Sequence, residues 1–123
     1  MAKSLDHTAV MDVALNAIKN GAIRMVFCSA QPANYAGVAA VALITATISS
    51  SDMTVADDTS GRKLTVGAIS GMTPSSNGTV THVVLTNNSS ILYACTTTTS
   101  QAVVTTQTWN SPAFKIAAIA DPS

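Results

Sequence analysis

Two histidines are the only side chains of this sequence that ordinarily titrate near neutral pH, where general acid–base catalysis operates. His7 lies near the N-terminus, and His82 lies in an apolar stretch between Thr81 and Val83. A Ser-His-Asp arrangement would also need a serine on a sharp turn such as G-x-S-x-G, and the sequence has no such motif. We therefore expect no catalytic residue, and we interpret His82 as part of a sheet face or an interface.

Metal-ligating side chains are equally sparse. Asp52, Asp57 and Asp58 lie in a segment rich in oxygen ligands, which suits Ca²⁺. Their spacing differs from the EF-hand pattern, however, and the chain contains no Glu. Zinc needs closely spaced Cys and His ligands, and the two cysteines and two histidines are scattered. The sequence therefore predicts no metal and no cofactor, and it places these aspartates in a solvated turn.

The cysteines, Cys28 and Cys95, both lie in apolar segments that are typical of strands. The N-terminal stretch 1–7 lacks the apolar region of a signal peptide, so we expect the protein to remain in a cytoplasm until it assembles. A reducing compartment favours free thiols over a disulfide. We therefore predict that both cysteines are reduced and buried.

Charge is scarce in this chain. Charged residues make up 10% of it, against about 25% in an ordinary soluble domain. The formal net charge is zero, and Arg62-Lys63 is the largest basic cluster, too small to bind a phosphate backbone. The longest apolar run, 37–44, is too short to span a bilayer. The sequence therefore predicts neither a nucleic-acid partner nor a membrane partner.

One amphipathic helix is predicted over about residues 5–19, where apolar side chains recur with helical spacing. Asn20-Gly21 tolerates a left-handed C-terminal cap and should end the helix. We expect the apolar stripe to pack on the sheet or on a partner subunit, so that Val13→Asp would abolish folding or assembly. The stripe consists of Val10, Val13, Ala14, Ala17 and Ile18, widened by Met11 and Leu15.

The rest of the chain, from about residue 22 onward, is predicted to form strands. Between Leu64 and Phe114 there is no Asp, Glu, Lys or Arg, and apolar residues alternate with Thr, Ser and Asn. Such alternation indicates strands with one face turned inward, and the turn signals between them are typical of an antiparallel β-sandwich or jelly roll. The expected strands are 22–29, 43–48, 53–56, 62–69, 79–86, 91–97, 101–106 and 113–119, and a loop or short helix precedes the second. The predicted fold is a single, mainly all-β, jelly-roll-like domain over residues 1–123 with one N-terminal helix.

Trp109 is the only tryptophan. A tryptophan can serve as a platform for carbohydrate, but a single one is more often an anchor in a core or an interface. An aromatic content of 4% also disfavours sugar binding. The candidate interface residues of the sequence are Val10, Val13, Ile18, His82 and Trp109.

Several segments, spread over nearly the whole chain, resemble small structural proteins of tailed bacteriophages. They are Leu5-Asp6-His7, the stretch 28–32, the stretch 58–63, the stretch 78–85, Leu92-Tyr93 and Ala120-Asp121-Pro122. The resemblance is to capsid decoration, or cement, proteins, and the G-T-x-T-H segment also occurs in tail-fibre and appendage modules. It implies a jelly-roll-like β fold, many copies per particle and contact with the capsid shell.

The first functional hypothesis is therefore a non-enzymatic virion protein that binds the outer capsid surface and stabilises the shell. Its expected partners are the major capsid protein and copies of itself, as a dimer or trimer, and its expected locations are the host cytoplasm and then the virion. The alternative is a tail-fibre or appendage module that binds a host receptor or glycan. An enzyme is disfavoured because no polar catalytic cluster is present.

Overall fold

The computed structural model describes residues 6–120. The prediction of a mainly β fold with antiparallel sheets and an N-terminal helix is confirmed. Residue 5, where that helix was expected to begin, and residues 121–123 lie outside the described part. The helical elements are a π-helical turn (His7–Met11), α1 (Asp12–Gly21), α2 (Tyr35–Val41) and a 3₁₀ turn (Ser50–Asp52). The strands are β1 (Arg24–Cys28), β2 (Ala42–Thr47), β3 (Met53–Asp57), β4 (Arg62–Val66), β5 (Ile69–Met72), β6 (Gly78–Thr86), β7 (Leu92–Val103), β8 (Trp109–Ser111) and β9 (Phe114–Ile119).

The strands form two main antiparallel sheets and a small ribbon. Sheet A has the order β2-β1-β6-β7, sheet B has the order β3-β4-β9, and β5 pairs with β8. Both sheets contribute apolar side chains to one core, an arrangement compatible with a β-sandwich. Fully buried examples are Phe27 and Leu85 from sheet A and Leu64 and Val66 from sheet B. The jelly-roll variant of the fold remains a prediction.

The second face of sheet A carries a smaller apolar cluster. Strand alternation turns Val26 and Cys28 of β1 away from the main core. Val84 of β6 belongs to the same cluster, and Val38 of α2 packs against it. Asn34 caps α2 by accepting a hydrogen bond from the Gly37 N–H at 3.1 Å. The short helix α2 therefore covers the second face of sheet A. Within the described residues, no helix is long and apolar enough to cross a bilayer.

The helical segment formed by the π-helical turn and α1 spans residues 7–21, against the predicted 5–19. Asp6 caps the π-helical turn by accepting from the Ala9 N–H at 2.6 Å. At the other end the prediction of a left-handed cap at Gly21 is wrong, because the described residues with positive φ do not include it. A Cβ atom at Gly21 would meet the hydroxyl end of the Tyr93 ring of β7, so a larger residue there would require Tyr93 to move.

The strand prediction needs two corrections. The segments 91–97 and 101–106 are one long strand, β7, that ends at Val103. The Thr- and Ser-rich stretch between them continues the strand because β-branched threonine suits an extended backbone, although it bulges where Thr97 pairs with His82 and Gln101 pairs with Val80. The short strands β5 and β8 lie partly in the predicted turn region and in a segment with no predicted strand.

Candidate assembly surface

The two histidines lie in different elements, His7 in the π-helical turn and His82 on β6. His82 lies half-buried on β6, and its Nδ1 shares a hydrogen bond with the adjacent Thr81 hydroxyl at 2.9 Å. The His7 Nδ1 lies 3.8 Å from a carboxylate oxygen of Asp57, and both side chains are exposed. Between residues 6 and 120, no three His, Cys, Asp or Glu side chains are grouped so that they could hold a metal ion.

The ion pairs concentrate where α1 meets sheet B. The Arg62 guanidinium on β4 donates to Asp12 of α1 and to Asp57 of β3, each at 2.8 Å. Lys115 of β9 donates to Asp58 at 2.9 Å. Hydrogen bonds from the Arg62 and Lys115 side chains lower the pKa values of Asp57 and Asp58, respectively. These charges are satisfied within the chain and hold the helix and the sheet together.

The cysteines lie on different strands of sheet A. Burial raises the pKa of the Cys28 thiol to about 11 and also raises that of Cys95. Both are free thiols, but Cys95 is only half-buried, so the prediction that both are buried is wrong for Cys95. Strand β6 lies between β1 and β7, which puts their backbones about 9–10 Å apart, beyond the span of roughly 7 Å that a disulfide tolerates.

Helix α1 is apolar on two faces. Met11 and Leu15 are fully buried, and Ile18 packs half-buried against the same core. Val10 and Val13 point outward, with Val13 exposed over 61% of its surface. Of the two predicted contacts for this stripe, Val10 and Val13 do not pack on the chain's own sheet, and their packing on a partner subunit stays a prediction. The alanines at positions 14 and 17 extend this exposed apolar face.

Strand β7 forms an edge of sheet A. It pairs with β6 on one side, and no strand of the described chain pairs with its other side. Its second half, 97–102, is mostly exposed and contains no charged residue. At the opposite edge of the sheet, the Ser75 N–H donates to the Leu43 carbonyl of β2 at 2.8 Å, so a loop covers part of that edge. The edge of sheet A without a paired strand is therefore β7, although α1 and β9 lie close to parts of it and Lys115 of β9 lines the adjoining groove.

A groove of about 340 Å³ lies beside β7. Trp109 and Phe114 line it together with threonines of the β7 bulge. The indole of Trp109 contacts Phe27 edge-to-face, with ring centroids 4.4 Å apart, and packs against the main core. Its buried N–H has no hydrogen-bond acceptor within the described residues. Trp109 thus joins the core to the wall of a groove.

The structure brings only some of the predicted interface residues together. Val10 and Val13 share the exposed face of α1, whereas Ile18 faces the core of the chain. His82 pairs with Cys28, on the α2 side of sheet A, and Trp109 lies in the groove. None of this tests contact with a partner, so all five remain predicted interface residues.

The unpaired edge of β7 is the feature that the sequence analysis did not single out. Its signal was present in the sequence, as an uncharged run of threonines inside the long charge-free segment.

Comparisons with protein-family models, curated proteins and solved structures give no match. Function must therefore be inferred from the side chains and surfaces of this chain.

Proposed function

We propose that this chain is a non-enzymatic structural subunit that associates through strand β7, and that it acts as a capsid decoration protein of a tailed bacteriophage. The unpaired, charge-free edge of β7 carries the first half of this proposal. The sequence resemblance to virion proteins supports the second half. In the proposed assembly, copies of the chain and the major capsid protein are the partners.

An unpaired edge strand presents a row of backbone N–H and C=O groups that another strand can bind. Proteins that must stay monomeric usually block such an edge with lysine, proline or a covering loop. Strand β7 has neither lysine nor proline, and its exposed residues are threonine, serine, glutamine and alanine. Two identical edges can meet around a two-fold axis, and we therefore propose a dimer formed by antiparallel β7–β7 pairing.

The exposed face of α1 provides a second contact. Val10 and Val13 expose apolar surface that the chain's own core does not use. Burying it against another protein releases water from about two valine side chains and favours binding. We propose that this face binds the shell protein, while β7 joins copies of the chain.

Oligomeric state tests the role of β7. Sedimentation velocity of the purified chain should show a concentration-dependent dimer. Thr97→Lys and Thr99→Lys place a charge on the exposed edge, and each should shift the population to monomer because pairing would bury that charge. Thr106→Lys, in the exposed turn after β7, is the matched control and should still dimerise. A monomeric wild-type chain, or equal effects of all three substitutions, would contradict the proposal.

The virion role needs purified particles that contain the chain. A stained gel should show a copy number comparable with that of the shell protein. Particles assembled with Val13→Asp protein should lose it and become less stable to heat, because a partner bound only to the assembled shell stabilises it. A copy number of only a few per particle would contradict decoration and favour a tail position.

The second candidate function is a tail appendage module that binds a receptor or glycan. The Trp109 groove favours it, since an aromatic ring beside hydroxyl groups is suited to sugars. Binding of labelled host-cell envelopes by the purified chain, lost in Trp109→Phe protein and retained in Val13→Asp protein, would support this alternative over decoration.

A further inference from the structure

A second depression, separate from β7 and its groove, lies where β1, β2 and α2 meet. It is an open pocket of about 480 Å³ at one end of the α2-covered face of sheet A. Its polar wall consists of Arg24, Tyr35, Thr45, Ser75, Thr86 and Asn88. Its apolar wall includes Val26, Val38 and Ala39. The pocket therefore has a cationic end and a hydrocarbon side.

Arg24 is the only charged side chain that lines this pocket. Its Nε is buried, and among residues 6–120 no hydrogen bond or ion pair joins its guanidinium to a protein atom. The other arginine, Arg62, is fully engaged with Asp12 and Asp57. A buried donor without an acceptor is costly. Arg24 as a whole is half-buried, so its guanidinium lines the pocket with one unsatisfied buried N–H, which an external acceptor would satisfy.

The residues around Arg24 are held in fixed positions. Arg24 lies on β1, between Thr47 of β2 and Thr86 of β6. The Thr86 hydroxyl is buried and accepts from the Asn88 N–H at 3.1 Å. Asn88 has a positive φ of 59°, a conformation that asparagine tolerates better than most residues. The rim of the pocket is thus organised before any ligand arrives, which lowers the cost of binding.

The turn that carries Asn88 is itself closely hydrogen-bonded. The Asn87 side-chain oxygen accepts from the N–H groups of Ser89, Ser90 and Ile91, at 2.8 to 3.0 Å. With those three donors satisfied locally, the turn is anchored independently of the pocket. The Asn88 side chain lies on this anchored turn and lines the pocket.

We propose that this pocket binds the carboxylate group of a small monoanionic molecule with a short apolar body. A guanidinium presents parallel N–H donors that match the two oxygens of a carboxylate. One positive charge balances one negative charge, whereas a phosphate dianion would leave a net charge in the pocket. The neutral hydroxyl groups supply further donors, and the wall formed by Val26 and Val38 covers the hydrocarbon part of the ligand.

The test is a titration of the full chain followed by ¹H–¹⁵N NMR. Sodium hexanoate should shift the amide signals of Arg24, Tyr35 and Asn88 in a saturable way. Hexanamide, which has the same body without the charge, should bind at least about tenfold more weakly, because charge-assisted hydrogen bonds are roughly twice as strong as neutral ones. Equal shifts with both compounds, or none with hexanoate, would overturn the proposal.

Substitutions test which side chains of the pocket bind hexanoate. Arg24→Gln should weaken hexanoate binding about tenfold or more, and Arg24→Lys should weaken it less because the charge is kept without the planar fork. Lys19→Gln, on α1 away from the pocket, removes the same charge and should leave the affinity unchanged. Asn88→Gly accepts the positive φ without strain and should weaken binding a few-fold. A spectrum of each variant that keeps the wild-type dispersion shows that the fold is intact, and full affinity in Arg24→Gln protein would refute the assignment.

Two further ligands test which chemical class of ligand the pocket binds. Inorganic phosphate should bind more weakly than hexanoate, and the reverse order would overturn the choice of a carboxylate. A tetrapeptide with a free C-terminus, compared with its C-terminal amide, distinguishes a chain terminus from a small acid. Tighter binding of the free peptide than of hexanoate would show that the source of the carboxylate is a polypeptide and would refute the small-molecule assignment.

Discussion

Arg62 and Asp12 are joined by two hydrogen bonds across fifty positions of sequence, Nε to Oδ1 at 2.8 Å and Nη2 to Oδ2 at 3.3 Å. This forked pair connects α1 to β4, and both side chains are about one-fifth exposed. The same guanidinium also reaches Asp57 of β3. One side chain therefore fixes the position of the helix on two strands of sheet B.

We predict that Arg62→Met lowers the midpoint of chemical denaturation, because it leaves Asp12 partly buried without its cation. The neighbouring residue provides the control. Lys63→Met removes an equal charge from the next position of β4, where no hydrogen bond to α1 is lost, and it should change the midpoint less. Equal midpoints for the two variants would mean that the forked pair contributes nothing measurable.

The two faces of α1 should respond differently to mutation. Leu15→Ala is expected to destabilise the chain by about 2–5 kcal/mol, because it opens a cavity in the main core. Val13→Asp is expected to change the stability of the isolated chain by no more than about 0.5 kcal/mol, since the side chain lies at an exposed position. Unfolding curves of the monomeric proteins check both values. Unfolded Val13→Asp protein would show that the outward face is buried after all.

Two glycines with left-handed backbones form a matched pair. Gly61 has φ +76°, and a Cβ atom there would collide with the Ile119 carbonyl, whereas Gly71 has φ +77° and open space around it. Gly71→Ala should therefore cost only the conformational penalty, about 1–2 kcal/mol. Gly61→Ala should cost more because the end of β9 must move. Equal free energies of unfolding for the two variants would contradict this ranking.

Cys28 predicts a loss of stability at alkaline pH. Its thiol has a pKa of about 11 in the folded chain against 9.0 as the ordinary value, mainly because burial disfavours the thiolate. The unfolded chain therefore loses this proton first as the pH rises. The contribution is fully present below about pH 9 and is lost as the pH rises through about 11. The free energy of unfolding should fall more steeply over this range in the wild type than in Cys28→Ala, and parallel pH profiles would contradict the prediction.

Association should survive high salt. The exposed part of β7, 97–102, contains no charged residue. The outward face of α1 is formed by Val10, Val13 and the alanines at positions 14 and 17. At about 1 M salt the Debye length is roughly 3 Å, which screens exposed ion pairs but not apolar burial or backbone pairing. Sedimentation at low and high salt should therefore give the same dimer fraction. Dissociation by salt alone would assign the interface to charged residues such as Arg62, Lys63 and Asp57.

The sequence predicted the class of fold because alternation and turn signals reflect burial directly. It left open whether the apolar stripe of α1 packs on the sheet or on a partner, since Val10 and Val13 fit helical spacing as well as Met11 and Leu15 do. With apolar residues on both faces, periodicity shows that a helix forms but not which face enters the core. In the structure, Met11 and Leu15 enter the interior, and the Arg62–Asp12 pair joins the helix to sheet B.

The candidate sites were less accessible to sequence reasoning. Whether β7 is an edge depends on strand order, which local patterns do not determine. Arg24 did give a signal, as the single charge within a strand of otherwise buried residues. Its unpaired state became visible only when the strands of sheet A and α2 were placed around it.

The position of β9 also sets a limit on when the chain can fold during synthesis. Sheet B contains this last strand, which pairs with β4 and contributes Ile116 to the main core. Because α1 packs against β3, β4 and β9, this helix cannot complete its contacts until β9 has left the ribosome. The strands β3 and β4 and the β6–β7 hairpin therefore leave the ribosome before sheet B is complete. The interval between these events is when the chain is most exposed to aggregation.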